Sequence, residues 1–260
     1  MTEQEWRESS NPQEMLTVLQ RRKVSNRKFR LFAVACCRHV SHLFPDDPSK
    51  KAVELAEKYA DGKGSMYKLG AARKRAGTSL PALEGQTAAY NAALETVWGI
   101  EAAAWDDTVA WPTARSGAIG GLDAATKAAR CIARATAFAA DETWYDPPFS
   151  PAMKDAKSAT EEYLAKLLRC VLGNPFRPVP PRTGAKRWNE ELRRWLTWNN
   201  STVTALAQAI YDERAFDRMP ILADALEDAG CANQELLGYC RGEGTHFRGC
   251  WALDLVLGKK

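Results

Sequence analysis

The chain predicts an all-α protein, a multi-helix bundle of mostly short helices. Alanine is abundant and β-branched residues are sparse, a balance that favours helix over sheet. Apolar residues recur at three- and four-residue spacing in one stretch after another, which lines them up on one face of a 3.6-residue period. No stretch has the alternation and turn chemistry of a strand or hairpin. At 260 residues, 45% hydrophobic and 26% charged, the chain is long enough for a substantial core and for two subdomains. Its nine tryptophans suit bulky filling between small-residue helices.

Each element has its own signal. "NPQEMLTVLQ" opens a helix with Asn11 as cap and Pro12 at the first helical position. Ser25 or Asn26 caps "RKFRLFAVACCRHVSHLF", in which Phe29, Phe32, Ala33, Cys36, Val40 and Leu43 share a face, and "PDDP" ends it. "SKKAVELAEKYADG" carries Ala52, Leu55, Ala56 and Tyr59 on one face and stops at Gly62. Residues 63–81 read as a connection around a short helix, and 81–111 as one long helix or two. "GGLDAATKAARCIARATAFAADETWY" gives another, "DPPFSP" interrupts, and "AMKDAKSATEEYLAKLLRCVLG" runs to a stop at Gly173. After the proline-rich "NPFRPVPPRTGAKR" come five short helices: "WNEELRRWLTW", "STVTALAQAIYDERAF", "MPILADALEDAG", "ANQELLGYCRG" and "FRGCWALDLVLGKK". The expected organisation is a helical domain over 1–172, a linker or pinned segment over 173–187, and a helical module over 188–260 that packs either alone or with the first part.

Charge is unevenly spread. Net charge is only +4, too little to argue for nucleic acid by itself. Residues 15–45 nevertheless contain no acid but carry Arg21, Arg22, Lys23, Arg27, Lys28, Arg30 and Arg38. A second basic block, 165–196, sets eight basic residues against Glu190 and Glu191. Residues 204–228 reverse the sign, with six acids against two arginines. No apolar run approaches the ~20 residues of a membrane span, "MTEQEWRESS" is too polar for a secretory leader, and the seven cysteines lack the spacing of a disulfide framework. The expectation is a reduced, cytoplasmic protein with buried thiols and no membrane partner.

The stretch closest to metal chemistry is "CRGEGTHFRGC". It puts Cys240, His246 and Cys250 within eleven residues of a chain with three histidines. Thiolate and imidazole are zinc ligands, but Cys231, the obvious fourth, lies a helix away. Nine residues at ~1.5 Å rise separate it from Cys240 by roughly 13 Å. The favoured reading is therefore a loop, with Gly242 and Gly244 stopping one helix and Thr245 capping the next, and zinc held by Cys240, His246 and Cys250 as the alternative. A further ligand would come from Cys36, Cys37, His39 or His42. "CCRHVSH" itself lacks the His-Glu-x-x-His spacing of a metalloprotease helix, and reads as core thiols and hydrogen-bonded histidines. The acid pairs Asp106–Asp107 and Asp141–Glu142 lie beside tryptophans without a glycosidase motif. "GAIGGL" lacks the lysine of a phosphate loop. Asp254, interrupting the apolar "CWALDLVL", calls for a partner such as Arg241 or Arg248.

"GNPFRPV", "LTWNNSTVTALAQAIYDERAFDRMPILADALEDAGC", "HFRGCWALDLVLGKK" and the N-terminal "SNRKFRLFAVACCRHV" together resemble a large paralogous family of planctomycete proteins. "AFDRMPILADALEDAG" is also similar to a short repeat-companion motif built on Tyr-Ala-Asp-Trp-Leu-Glu-Glu, with Leu222 in place of the tyrosine and Ala225 in place of the tryptophan. The resemblance implies a helical fold and transfers no catalytic residue or cofactor.

These observations favour a non-catalytic helical interaction or regulatory module that needs no cofactor and meets another protein. Its interaction residues would be Arg21, Arg22, Lys23, Arg27 and Lys28, with Arg187, Arg193, Arg194, Trp188 and Trp195 from "KRWNEELRRWLTW". Nucleic-acid binding through the same two segments, arginines on phosphate and tryptophans on bases, and the zinc site are the alternatives.

Overall fold

The computed structural model describes residues 1–19, 22, 24–44, 47–78, 121–141, 149–177 and 185–259. Among them the regular structure is helical, with no strand. The chain divides into two compact units, Met1–Leu168 and Arg169–Lys260. The expected helix or helices over 81–111 and the proline-rich residues 178–184 lie outside the described residues.

The first unit opens with α1 (Glu3–Glu8). Thr2 and Glu5 form a capping box: Thr2 Oγ1 accepts from Glu5 N at 3.2 Å, and Thr2 N donates to Glu5 Oε2 at 2.6 Å. The helix buries Trp6 to 1% exposure. α2 (Pro12–Leu19) starts as its sequence specifies, with Asn11 Oδ1 accepting from Gln13 N and Glu14 N. α3 (Asn26–His39) is capped by Ser25 Oγ, which accepts from Lys28 N. From Leu31 to Cys37 every α3 side chain is buried, so this helix is core on all sides rather than amphipathic. It packs against α6 (Gly121–Ala139) and α4 (Asp47–Ala60), while α5 (Met66–Thr78) packs on α4 and α2 on α6. Alanines 124, 125, 128, 129, 133, 135 and 137 of α6 are buried, which lets a neighbouring helix approach closely.

Helix α7 (Pro151–Leu172) crosses the division between the units. The reason is its last turn, since Cys170 belongs to the hydrophobic cluster of the second unit. That cluster collects the apolar faces of α8 (Ala185–Thr197), α9 (Thr202–Glu213), α10 (Met219–Asp228), α11 (Gln234–Arg241) and α12 (Trp251–Val256). Gly173 stops α7 at φ +67°, where only glycine is unstrained, and its N–H donates to Arg169 O at 2.9 Å. A Cβ there would lie 3.1 Å from Cγ of Trp251. The α7 stop is thus also a seat for an indole. Between α8 and α9 the chain turns through three consecutive left-handed residues, Asn199, Asn200 and Ser201, at φ 44°, 56° and 63°. Thr204 Oγ1 spans the turn, donating to Leu196 O at 3.2 Å.

Two substitutions test this backbone. Gly173→Ala adds left-handed strain and a clash with Trp251, and is expected to cost about 2 kcal/mol in urea unfolding. Ser201→Gly relieves one left-handed non-glycine residue at an exposed position and is expected to stabilise by about 0.5 kcal/mol in the same measurement.

Candidate functional site

α7, α11 and the loop between α11 and α12 bring four chemically active side chains together in the second unit. Asn233 caps α11, its Oδ1 accepting from Leu236 N at 2.9 Å. That start sets the helical phase which buries Leu236, Leu237 and Cys240 and leaves Tyr239 half-buried beside them. Beyond Arg241 the loop residues Gly242, Glu243, Gly244 and Thr245 are exposed, and the chain then turns inward at His246. Cys250 is the residue from which α12 starts. Cys170 arrives from the last turn of α7.

The ligating atoms of Cys170, His246 and Cys250 all lie within 4.8 Å of one another. Cys250 Sγ is 3.9 Å from His246 Nδ1. Tyr239 bridges them, with its hydroxyl 3.4 Å from Cys250 Sγ and 3.2 Å from His246 Nδ1. The Tyr239 ring also meets His246 edge-on at 5.0 Å and Trp251 at 4.8 Å. Cys170, His246 and Cys250 are 2%, 8% and 0% exposed, so a large substrate cannot reach them without opening the unit. His246 Nε2 is buried without a hydrogen-bond partner, a costly arrangement for a ring nitrogen.

The two thiols are polarised against each other. The hydrogen bond to Cys250, followed by burial, pushes Cys170 well up. Burial would also raise Cys250, but hydrogen bonds from Cys170, His246 and Tyr239 outweigh it and hold that thiol well below the usual range. The two thiols thus shift in opposite directions, Cys170 up and Cys250 down. Burial, then the two sulfurs, raises the Tyr239 hydroxyl far out of the titrating range, so it stays a neutral donor.

The expected trio is corrected at one position. Cys240 is buried in the core outside the cluster, and Cys170, seventy positions upstream of it, takes its place. The cause is helical phase: Tyr239, one residue earlier on α11, is the side chain that reaches His246 and Cys250. Cys231 is not part of the cluster and precedes α11, the helix that carries Cys240. Thr245 does not cap α12, which begins six residues later at Trp251. Cys36 and Cys37 are α3 core thiols, pushed up by burial. His39 stacks on Tyr163 at 4.0 Å, its pKa lowered by burial and then by His42, and His42 falls in the turn Ser41–Leu43 past the helix end. Arg241 pairs with Asp224 at 2.7 Å and with Glu227 at 2.5 Å, so it is not the partner of Asp254. Arg248 donates to the carbonyls of Tyr211 and Asp212, closing the end of α9.

The proposed interaction residues separate into two groups. Arg27 reaches Asp61 at 3.1 Å, and Arg22 and Lys28 are half-buried. Elsewhere on α3, Arg38 reaches Glu57 at 2.9 Å and buried Arg30 lies over the Tyr59 ring at 4.8 Å. Trp188 and Trp195 are 7% and 4% exposed and pack edge-to-face at 5.5 Å, so they are core and cannot stack on bases. Arg193 and Arg194 are exposed. Arg21, Lys23, the Arg187 side chain, Asp106, Asp107, Glu142 and residues 117–120 of "GAIGGL" lie outside the described residues. An open groove in the first unit is lined by Glu5, Glu8, Ser10, Asn11 and Glu14. Among the described residues, no helix is long and apolar enough to cross a membrane.

No family model matches the chain, and no curated protein or solved structure matches it.

Tyr239→Phe removes the hydroxyl that bridges Cys250 and His246 and keeps the ring contacts. It is expected to lower stability by about 1 kcal/mol, read as a shift of the urea midpoint with unchanged slope.

Proposed function

We propose that the chain is a non-catalytic helical module that docks a basic segment of a partner protein on the acidic surface of α9 and α10. The observation that carries this reading is the opposite fate of the two charge blocks. The arginines of α3 turn inward, where Arg27 and Arg38 meet nearly buried carboxylates. The acids of the second unit face solvent: Asp212, Glu213, Asp217, Asp224, Glu227 and Asp228 are all exposed. Among them Ile221 stands 56% exposed, an apolar anchor within an acidic rim. Part of this rim is pre-organised, because Gln208 donates to Asp212 at 2.6 Å and Arg241 holds Asp224 and Glu227.

The cluster of nucleophilic and ligating groups described above supports the non-catalytic part of the reading. Its thiols and imidazole are sealed in the core of the second unit, and catalysis needs its nucleophile within reach of the substrate.

The test is fluorescence anisotropy of the full chain against a labelled lysine-rich amphipathic peptide, with duplex DNA and single-stranded RNA in parallel. The peptide is expected to bind with salt-sensitive affinity, weakened roughly tenfold by the double substitution Asp217→Lys with Asp228→Lys, as several charge contacts at a rim imply. Binding to either nucleic acid in preference to the peptide would instead favour the basic segments and contradict the proposal.

A further inference from the structure

Tyr239 and the three groups around it have the spacing of a metal site. In a tetrahedral zinc centre with bonds of 2.0–2.3 Å, neighbouring ligand atoms stand roughly 3.3–3.8 Å apart. Three of the distances here are close to that already: 3.4 Å from Tyr239 Oη to Cys250 Sγ, 3.2 Å from Tyr239 Oη to His246 Nδ1, and 3.9 Å from His246 Nδ1 to Cys250 Sγ. Cys170 Sγ lies within 4.8 Å of the other two protein ligands, so an ion would draw the cluster in by at most about an ångström.

We propose that the second unit binds one zinc-class divalent cation through the thiolates of Cys170 and Cys250 and Nδ1 of His246, with the Tyr239 hydroxyl at the fourth corner. Charge supports it. Two thiolates cancel the double positive charge, so the occupied centre is neutral and suits the buried position, where an unbalanced ion would be costly. Ligand chemistry supports it as well, since sulfur and imidazole nitrogen select zinc over magnesium or calcium. As each metal–sulfur bond forms, a thiol still carrying its proton releases it to solvent, and no group is oxidised or reduced. The exposed loop 242–245 adjoins His246. Because no ligand is exposed, the centre is structural: it clasps the end of α7 to the α11–α12 loop and holds no open position for a substrate.

The experiment uses the full chain, purified under reducing conditions, stripped with a chelator and titrated with cobalt(II) alone. One equivalent is expected to bind, giving the visible bands of tetrahedral cobalt and a thiolate-to-cobalt charge-transfer band, both bleached by one equivalent of zinc. Cys170→Ala and Cys250→Ala are each expected to lose stoichiometric uptake. Cys240→Ala, equally buried but outside the cluster, serves as the folding control and is expected to keep it. The Tyr239→Phe variant is expected to keep the charge-transfer band and shift the visible ones. Failure of the native chain to take up cobalt or zinc stoichiometrically overturns the proposal without reference to any variant. So does loss of binding in a folded Cys240→Ala chain, or a Cys170–Cys250 disulfide recovered from the reduced preparation by mass spectrometry.

Discussion

The second unit depends on the contact between Gly173 and the Trp251 ring. Gly173 ends α7 in a left-handed turn, and the missing side chain leaves just enough room for the indole. One glycine thereby does two things that a larger residue cannot do together: it stops a 22-residue helix and seats the first residue of the last one. With those ends joined, Cys170 on one side and Cys250 on the other, three and one residues away, are brought together. Trp251 in turn packs on Tyr239, so the indole links the helix stop to the polar cluster.

The cluster is conspicuous because its surroundings are so apolar. Cys240, Leu236, Leu237, Leu253 and Val256 are all essentially inaccessible, and in such a medium an unpaired polar atom is expensive. The Cys250 sulfur is tolerated there because a thiol, a phenol and an imidazole all face it. Every partner except the unsatisfied Nε2 edge of His246 has its hydrogen-bonding groups engaged within the cluster. The arrangement requires its four members together, as a polar network in a dry core generally does.

Much of the helical architecture was legible in the sequence, because its signals are local. Asn11–Pro12, Ser25, Gly62, Gly173 and Asn233 each act within a few residues of the boundary they set. The short helix α1 carries a local signal too, Thr2 followed three residues later by Glu5, set in a polar, acidic stretch. The site was half legible. His246 and Cys250 stood out by their proximity in the chain. Cys170 was invisible because its role depends on a non-local contact, and Tyr239 was displaced by Cys240 because sequence proximity does not reveal helical phase. For Trp188 and Trp195, periodicity marked a buried face equally well as a binding face, and burial decided it.

Charge follows the same logic of local signal and tertiary outcome. An acid-free run of thirty-one residues looks like a polyanion-binding surface, yet Arg27, Arg30 and Arg38 use their charge within the first unit. The acidic stretch, by contrast, remains outside. The central claim is that distant parts of the chain converge on one polar cluster, and sulfur positions test it most directly. A crystal structure with long-wavelength anomalous peaks for the cysteine sulfurs should put Cys170 and Cys250 within the 4.8 Å span of the cluster, beside the His246 ring, with Cys240 turned away. A Cys170 sulfur remote from Cys250, or a Cys240 sulfur in its place, would contradict the account.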